Sequence, residues 1–235
     1  MLLKIENINT YYGLSHILQD VSLEVDKHEI VTLVGRNGAG KSTTLKSILG
    51  ITPVRSGQVW FDGEDISSLQ THLIIQRGIS YVPEERRIFP GLSVRENIRV
   101  ALLKSKNRDR EEEMIERVGE YFPVLKQRLS QEGTSLSGGE QQMLAIARSL
   151  VTDPELMLID EPTEGLMPIL VELIAEIVLT IHREGVTVLL VEQNMEMALT
   201  ISHRAYVMDE GRIQTFGPAQ DILADEEIQR RYLCV

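Results

Sequence analysis

The sequence predicts an α/β fold with a parallel core sheet, interrupted by a helical insert. Three observations carry this expectation. Ile30 to Val34 is a β-branched apolar run that stops at Gly35 and hands over to a helix from Ser42 to Leu49. Leu156 to Ile159 and Val186 to Val191 are two more short apolar runs, with a helical stripe between them. Strands that alternate with helices build a parallel sheet, and its strands read as unbroken apolar runs because both faces are covered. From about Leu92 to Val151 the alternation is suspended by charge-rich sequence with few strand-forming residues.

Taken in order, Ile5, Tyr11, Tyr12, Val21, Leu23 and Val25 alternate with polar residues, the period of half-buried strands. The helix from Ser42 ends at Gly50, with Pro53 just beyond. Gly57 to Phe61 and Gly78 to Val82 are short strands. Arg95 to Phe122 favours helix, and Arg108 to Glu113 reads as a solvated face. A helix follows Gly139, with Met143, Leu144, Ala147, Leu150 and Val151 on one side. Ile169, Leu170, Leu173, Ile174, Ile177, Val178 and Ile181 form the later stripe, which ends at Gly185. Ala205 to Thr215 is a hairpin turning at Glu210 and Gly211, and Asp221 to Leu233 closes as one or two short helices. There is no internal repeat and no low-complexity tract.

Composition removes several function classes. The 235 residues are 43% apolar and 25% charged, ordinary for a globular chain that can bury a core without disulfides or structural metals. The net charge of -11 makes a poor general nucleic-acid binder, because neutralising phosphates needs clustered Lys and Arg. The lone cysteine, Cys234, permits no internal disulfide and no cysteine zinc site, which fits a reducing compartment. The first ten residues are too polar for a signal peptide, and no apolar run approaches the ~18 residues of a membrane span.

The first chemical motif is Gly35, Arg36, Asn37, Gly38, Ala39, Gly40, Lys41, Ser42, followed by Thr43. It matches G-x-x-x-x-G-K-[ST] between a strand and a helix, where backbone N–H groups cradle phosphates and the helix dipole favours anions. Lys41 is placed to reach the β- and γ-phosphates, and the Ser42 hydroxyl to ligate Mg²⁺. Leu156 to Ile159 then delivers Asp160 to a strand's C-terminal end, where it can hold Mg²⁺ through water. Glu161 follows and can polarise an attacking water as general base. A third element, Leu136, Ser137, Gly138, Gly139, Glu140, Gln141, Gln142, opens a helix with a Ser-Gly-Gly turn, a second anion-seeking helix end.

Those seven residues resemble the signature of ABC-transporter ATPases, and the resemblance extends over essentially the whole chain. It implies a P-loop NTPase fold of the ABC ATPase type: a mixed parallel core sheet, an N-terminal antiparallel β subdomain and an inserted helical subdomain. The chain is then one domain, 1–235, with 1–91 and 152–235 as core plus antiparallel β and 92–151 as the helical subdomain. The cofactors implied are ATP and Mg²⁺. In this family the signature loop, here Ser137 to Glu140, grips the ATP of a second subunit, so two nucleotides are sandwiched head to tail. Tyr12 stands where the family stacks an aromatic on adenine, with Tyr11 as the alternative. Glu84 takes the Q-loop position beside the metal, Pro162 to Leu166 the D-loop, and Gln193 the switch-histidine position.

Three of these depart from the general pattern: glutamate for the Q-loop glutamine, Gly165 for the D-loop aspartate and glutamine for the switch histidine. Gln193 can hydrogen-bond a γ-phosphate but cannot carry charge, and ionised Glu84 only accepts. The set Val82-Pro-Glu84, Leu136 to Ile146 and Val191-Glu-Gln193-Asn194 is similar to one ATPase subunit of branched-chain amino-acid importers. Tyr11-Tyr12-Gly13 and Asp160 to Gly165 are also similar to urea and short-amide importers. Partners implied are a second, different ATP-binding subunit, two transmembrane permease subunits and, indirectly, a substrate-binding protein, on the cytoplasmic face of the cell membrane. The chain could also homodimerise in isolation. Arg86, Arg87, Ile88 and Phe89 are the candidate docking surface. A soluble, non-transport ABC ATPase remains an alternative. A P-loop GTPase would need an Asn-Lys-x-Asp motif, which the sequence lacks.

Overall fold

The computed structural model describes residues 1–103 and 105–233; Cys234 lies outside the described residues. Strands β1 (Leu3–Tyr12) and β2 (Ser15–Val25) form a long hairpin, joined by β4 (Val54–Phe61) and the two-residue β5 (Glu64–Asp65). This antiparallel sheet runs in the order β2-β1-β4-β5. The second sheet holds β3 (Ile30–Gly35), β6 (Ile79–Val82), β7 (Leu156–Asp160), β8 (Thr187–Glu192), β9 (Arg204–Asp209) and β10 (Arg212–Pro218). Its order is β10-β9-β3-β8-β7-β6, parallel throughout except for the antiparallel pair β9 and β10. The sheet is mixed because a hairpin turn, not a crossover helix, joins its last two strands.

Between the strands run α1 (Lys41–Ile48), α2 (Thr71–Gln76), α3 (Val94–Leu102), α4 (Glu111–Tyr121), α5 (Pro123–Gln127), α6 (Gly138–Leu150), α7 (Pro168–Arg183) and α8 (Met195–Ile201), and α9 (Ala219–Ala224) follows the last strand. Alternation along the central strands separates two cores. Val31, Leu33, Leu158, Leu189 and Val191 pack with α1 and the antiparallel sheet. Val34, Met157, Ile159, Val188 and Leu190 pack with α3, α4, α6 and α7. Each central strand is therefore buried on both faces, as its unbroken apolar run required.

Several elements differ from the sequence expectation. The helical stretch expected over Arg95–Phe122 is two helices, α3 and α4, the first closed at its start by a capping box of Ser93 and Glu96. Helix α6 is not one-sided: Gln142, Ala145, Ile146 and Ser149 are buried as well, because the sheet and the neighbouring helices α3 and α5 enclose it together. The α7 stripe is only half covered. Ile174, Ile177, Val178 and Ile181 are buried, but Ile169 is 70% exposed. The short helices α2 and α8, each under two turns or barely two, offered too few residues for a period to show. Asn194 starts α8 by accepting from the Met197 N–H at 3.1 Å.

Candidate active site

The phosphate-binding loop leaves β3 at Gly35 and enters α1 at Lys41. Gly35 is dictated by crowding: a Cβ there would lie 2.1 Å from the Met208 carbonyl on the neighbouring strand. Arg36, Asn37 and Gly38 are exposed, whereas Ala39 and Gly40 are buried against the antiparallel sheet. Lys41 is 3% exposed, and its Nζ curls back over the loop. It donates to the carbonyls of Gly35 at 2.9 Å and Arg36 at 3.2 Å. It also pairs with Glu161 at 3.2 Å. Ser42 and Thr43 are half-buried on the first turn of α1.

Asp160 ends β7 and is fully buried. The Ser42 hydroxyl donates to its Oδ1 at 2.8 Å, and the Tyr81 hydroxyl donates to its Oδ2 at 2.9 Å. Burial pushes the Asp160 carboxyl up, and those two hydrogen bonds resist. Tyr81 was not singled out in the sequence; its phenol is raised by burial and by Asp160, so it stays a donor. Glu161 follows in the left-handed region at φ 42°, a conformation uncommon for residues other than glycine. Its N–H donates to the Val191 carbonyl at 2.9 Å, which pins the turn to β8. Glu84 is exposed, yet partial burial and the nearby Glu161 and Asp160 push its carboxyl up.

Among the described residues no three carboxylates, imidazoles or thiols form a cage for a cation. The arrangement that does fit Mg²⁺ is smaller: the half-buried Ser42 hydroxyl in contact with Asp160 at the start of α1. Mg²⁺ is usually held that way, by one or two carboxylates plus phosphate oxygens and water. Gln193 stands exposed just beyond β8, its N–H donating to Glu192 at 2.8 Å.

The two tyrosines separate in role. Tyr11 is stacked on His16 at 4.1 Å, with the Arg55 guanidinium 4.9 Å from its ring, so both neighbours occupy it. Tyr12 is 49% exposed and anchored only at its hydroxyl, 3.1 Å from the Thr52 hydroxyl just past α1. Of the two rings, that of Tyr12 is the more exposed.

Ser137 caps α6. Its hydroxyl accepts from the Glu140 N–H, while Glu140 accepts from the Ser137 N–H and hydroxyl, both at 2.9 Å. Burial works against the Glu140 charge, but the Ser137 hydrogen bonds and Arg128 hold its carboxyl low. Gly139 is buried under Leu170, whose Cδ1 would lie 2.5 Å from a Cβ there, so any larger residue would require the Leu170 side chain to move. Ser137 and Gly138 are exposed. Among the described residues no hydrogen bond or ion pair joins 137–140 to the phosphate loop.

Arg86 does not belong to an outward docking surface with its neighbours. It turns inward, donating to Gln142 Oε1 at 3.3 Å, and its guanidinium would touch a Cβ on Gly138 at 3.1 Å. Arg86 and Arg87 are both left-handed, at φ 61° and 46°, which reverses the chain and sends successive side chains apart. Ile88 packs on the helical core, whereas Arg87 and Phe89 remain exposed, with Arg148 4.4 Å above the Phe89 ring.

Comparison with known proteins follows the same outline. Residues 18–164 match the family model described as ABC transporter. BraG of Pseudomonas aeruginosa, a high-affinity branched-chain amino acid transport ATP-binding protein, is 44% identical over 99% of each chain. LptB of Haemophilus influenzae, a lipopolysaccharide export system ATP-binding protein, is 37% identical over 99% of this chain and 97% of its own. A solved nucleotide-free ATP-binding cassette from an ABC transporter superposes with a TM-score of 0.83 at 28% identity, covering 97% of this chain and 96% of its own.

Proposed function

This chain belongs to the ABC transporter family and is the ATP-hydrolysing subunit of a transporter; on that premise we propose that it powers import of branched-chain or other hydrophobic amino acids. What supports the substrate class is the 44% identity with BraG over nearly the full length of both chains. The Val191-Glu-Gln193-Asn194 and Val82-Pro-Glu84 segments agree with it. A second reading, lipopolysaccharide export, draws on the 37% identity with LptB over a similar span.

The catalytic reading starts from the contact of Lys41 with Glu161. A γ-phosphate entering the loop competes for the Lys41 ammonium. Glu161 is then released to accept a proton from the attacking water. Mg²⁺, when bound at Ser42 and Asp160, supplies neutralisation of the phosphate charge. Lys41 holds the β- and γ-phosphates, Gly35, Asn37, Gly38, Ala39, Gly40 and Thr43 shape the cradle, and Gln193 hydrogen-bonds the γ-phosphate. Glu84 adds a carboxylate that reports on the metal. Tyr12 stacks on the base. Ser137, Gly138, Gly139 and Glu140 serve the nucleotide of a second ATP-binding subunit: Ser137 and Gly138 are exposed at the start of α6, and among the described residues none of the four bonds to this chain's own phosphate loop.

The altered residues Glu84, Gly165 and Gln193 favour a different ATPase as that second subunit. No helix among the described residues is long and apolar enough to cross a membrane. On the proposed reading, two permease subunits hold the chain at the cytoplasmic face of the membrane, and a substrate-binding protein would feed them. We divide the chain into a core, 1–91 and 152–235, and a helical arm, 92–151. An open cleft of about 610 Å³ lies where the two meet, lined by His72, Ile75, Arg77, Ser105, Asp153 and Glu155. With Arg87 and Phe89 it forms the docking face for the permeases.

The test is a native purification of the tagged Glu161→Gln chain from its own membranes with ATP present. A second, different ATPase and two multispanning proteins are expected, together with loss of leucine uptake when the chain is deleted. Intact leucine uptake with altered lipopolysaccharide or urea handling would overturn the substrate, and recovery of ribosomes or DNA would overturn the transport role.

A further inference from the structure

Glu192 closes β8 at the same end of the sheet where Asp160 and Glu161 close β7. It is 2% exposed, and its strand neighbours Leu190 and Val191 are apolar and fully buried. A carboxylate is a costly choice at such a place unless it is fully paired. Glu192 is fully paired, and its partners come from two loops. Oε1 accepts from the Thr163 N–H at 3.0 Å and the Thr163 hydroxyl at 2.6 Å. Oε2 accepts from the Gln193 N–H at 2.8 Å and the Asn194 N–H at 2.9 Å.

Three of these donors are backbone N–H groups that cannot turn into acceptors, so the side chain serves as an acceptor on both oxygens, as an ionised carboxylate does. Thr163 stands two positions after Glu161 and begins the exposed run Glu164, Gly165, Met167 that leads into α7. Gln193 is the residue assigned above to the γ-phosphate. One buried group therefore ties Gln193 to the segment that leaves the site for the molecular surface.

We propose that Glu192 is a positioning residue that couples Gln193 to the 162–167 segment, so that nucleotide at the phosphate loop sets the conformation of that segment. The inference rests on the nucleotide site proposed above. It requires no hydrolysis and no partner subunit, and its consequence is local. With Glu192 intact, ordering of Gln193 by a phosphate is passed through two carboxylate oxygens to Thr163. With an amide at 192, one arm presents N–H to N–H and that half of the link opens.

Hydrogen exchange of the purified chain, with and without a non-hydrolysable ATP analogue and Mg²⁺, tests this. In the natural chain the analogue is expected to slow exchange at 35–43, at 192–194 and at 162–167. In Glu192→Gln the slowing at 35–43 persists. The nucleotide-dependent slowing at 162–167 falls about fivefold, within the range by which residues of a coupled network modulate it. Thr163→Val removes one donor and keeps the backbone, and a smaller loss of about twofold is expected there. A merely structural role would raise exchange at 162–167 equally with and without nucleotide, leaving the ratio unchanged, and that result overturns the coupling. So does a natural chain whose 162–167 segment ignores nucleotide while 35–43 responds. If 35–43 itself does not respond, the nucleotide site fails, and the coupling fails with it.

Discussion

Lys41 Nζ lies 3.2 Å from the Glu161 carboxylate, with both side chains nearly buried, so the phosphate-binding cation and the candidate base neutralise each other. Removing one partner of a buried pair strands the other, at a cost of about 3–5 kcal/mol. Without nucleotide, Lys41→Met should therefore lower the thermal midpoint, and Lys41→Met with Glu161→Gln should recover part of the loss. A double variant no more stable than Lys41→Met would show that the pair contributes nothing. Lys41→Met should also abolish nucleotide binding, read by a fluorescent ATP analogue.

Glu161→Gln alone keeps a polar group of the same size at φ 42° and removes the proton acceptor. Turnover should fall by about 10²–10⁴, the usual contribution of a positioned base, while nucleotide stays bound. Single-turnover assays with radiolabelled ATP check this, and rapid turnover in the variant would exclude Glu161 as the base.

Ser137→Arg should leave ATP binding by the isolated chain unchanged and abolish turnover of the assembled transporter, because its effect falls on the partner's nucleotide. Ser137→Ala is the control for the cap it shares with Glu140, whose loss costs about 0.5–2 kcal/mol. Equal loss of activity in both variants would mean that capping, not the partner's phosphate, is what Ser137 provides.

The phosphate loop, the signature turn and the strand bearing Asp160 were all legible because each is a local pattern whose spacing carries its chemistry. Glu192 and Tyr81 were not, because the partner that gives each its role is remote: Thr163 lies 29 positions from Glu192, whose other donors are the adjacent Gln193 and Asn194, and Asp160 lies 79 from Tyr81. The inward turn of Arg86 rests on two left-handed residues, and arginine carries no sign of that conformation. The α7 stripe gave the apolar face but not its cover. Periodicity records which side of a helix is greasy, and Ile169 shows that this chain covers only part of it.

Tyr81→Phe removes the donor to Asp160 Oδ2 and leaves the ring packing intact. A hydrogen bond to a charged group contributes about 1.5–3 kcal/mol, so the nucleotide-free chain should lose stability of that order. Asp160 would also lose one of the two contacts that orient it, and the Mg²⁺ concentration for half-maximal nucleotide binding should rise. Titration of Mg²⁺ at fixed ATP reads this, and an unchanged midpoint would limit Tyr81 to packing.

His182 supplies the pH dependence. Burial and the neighbouring His203 ring, 5.0 Å away edge-on, hold its imidazole below the ordinary histidine value of about 6.5, and the nearby Arg183 acts in the same direction. Between the unfolded and folded pKa values the unfolded chain binds the proton that the folded chain resists. Stability therefore falls as pH drops below about 6.5, and it is unaffected by this group at pH 7.5 and above. Thermal midpoints at pH 7.5 and 5.5 should show that decline, and His182→Gln, which cannot titrate, should flatten it. A decline of the same slope in His182→Gln would assign it to other groups. The expected flattening would place the acid sensitivity of the fold at the base of the core sheet, where His203 accepts from the Ile30 N–H at 3.1 Å, and away from the nucleotide site.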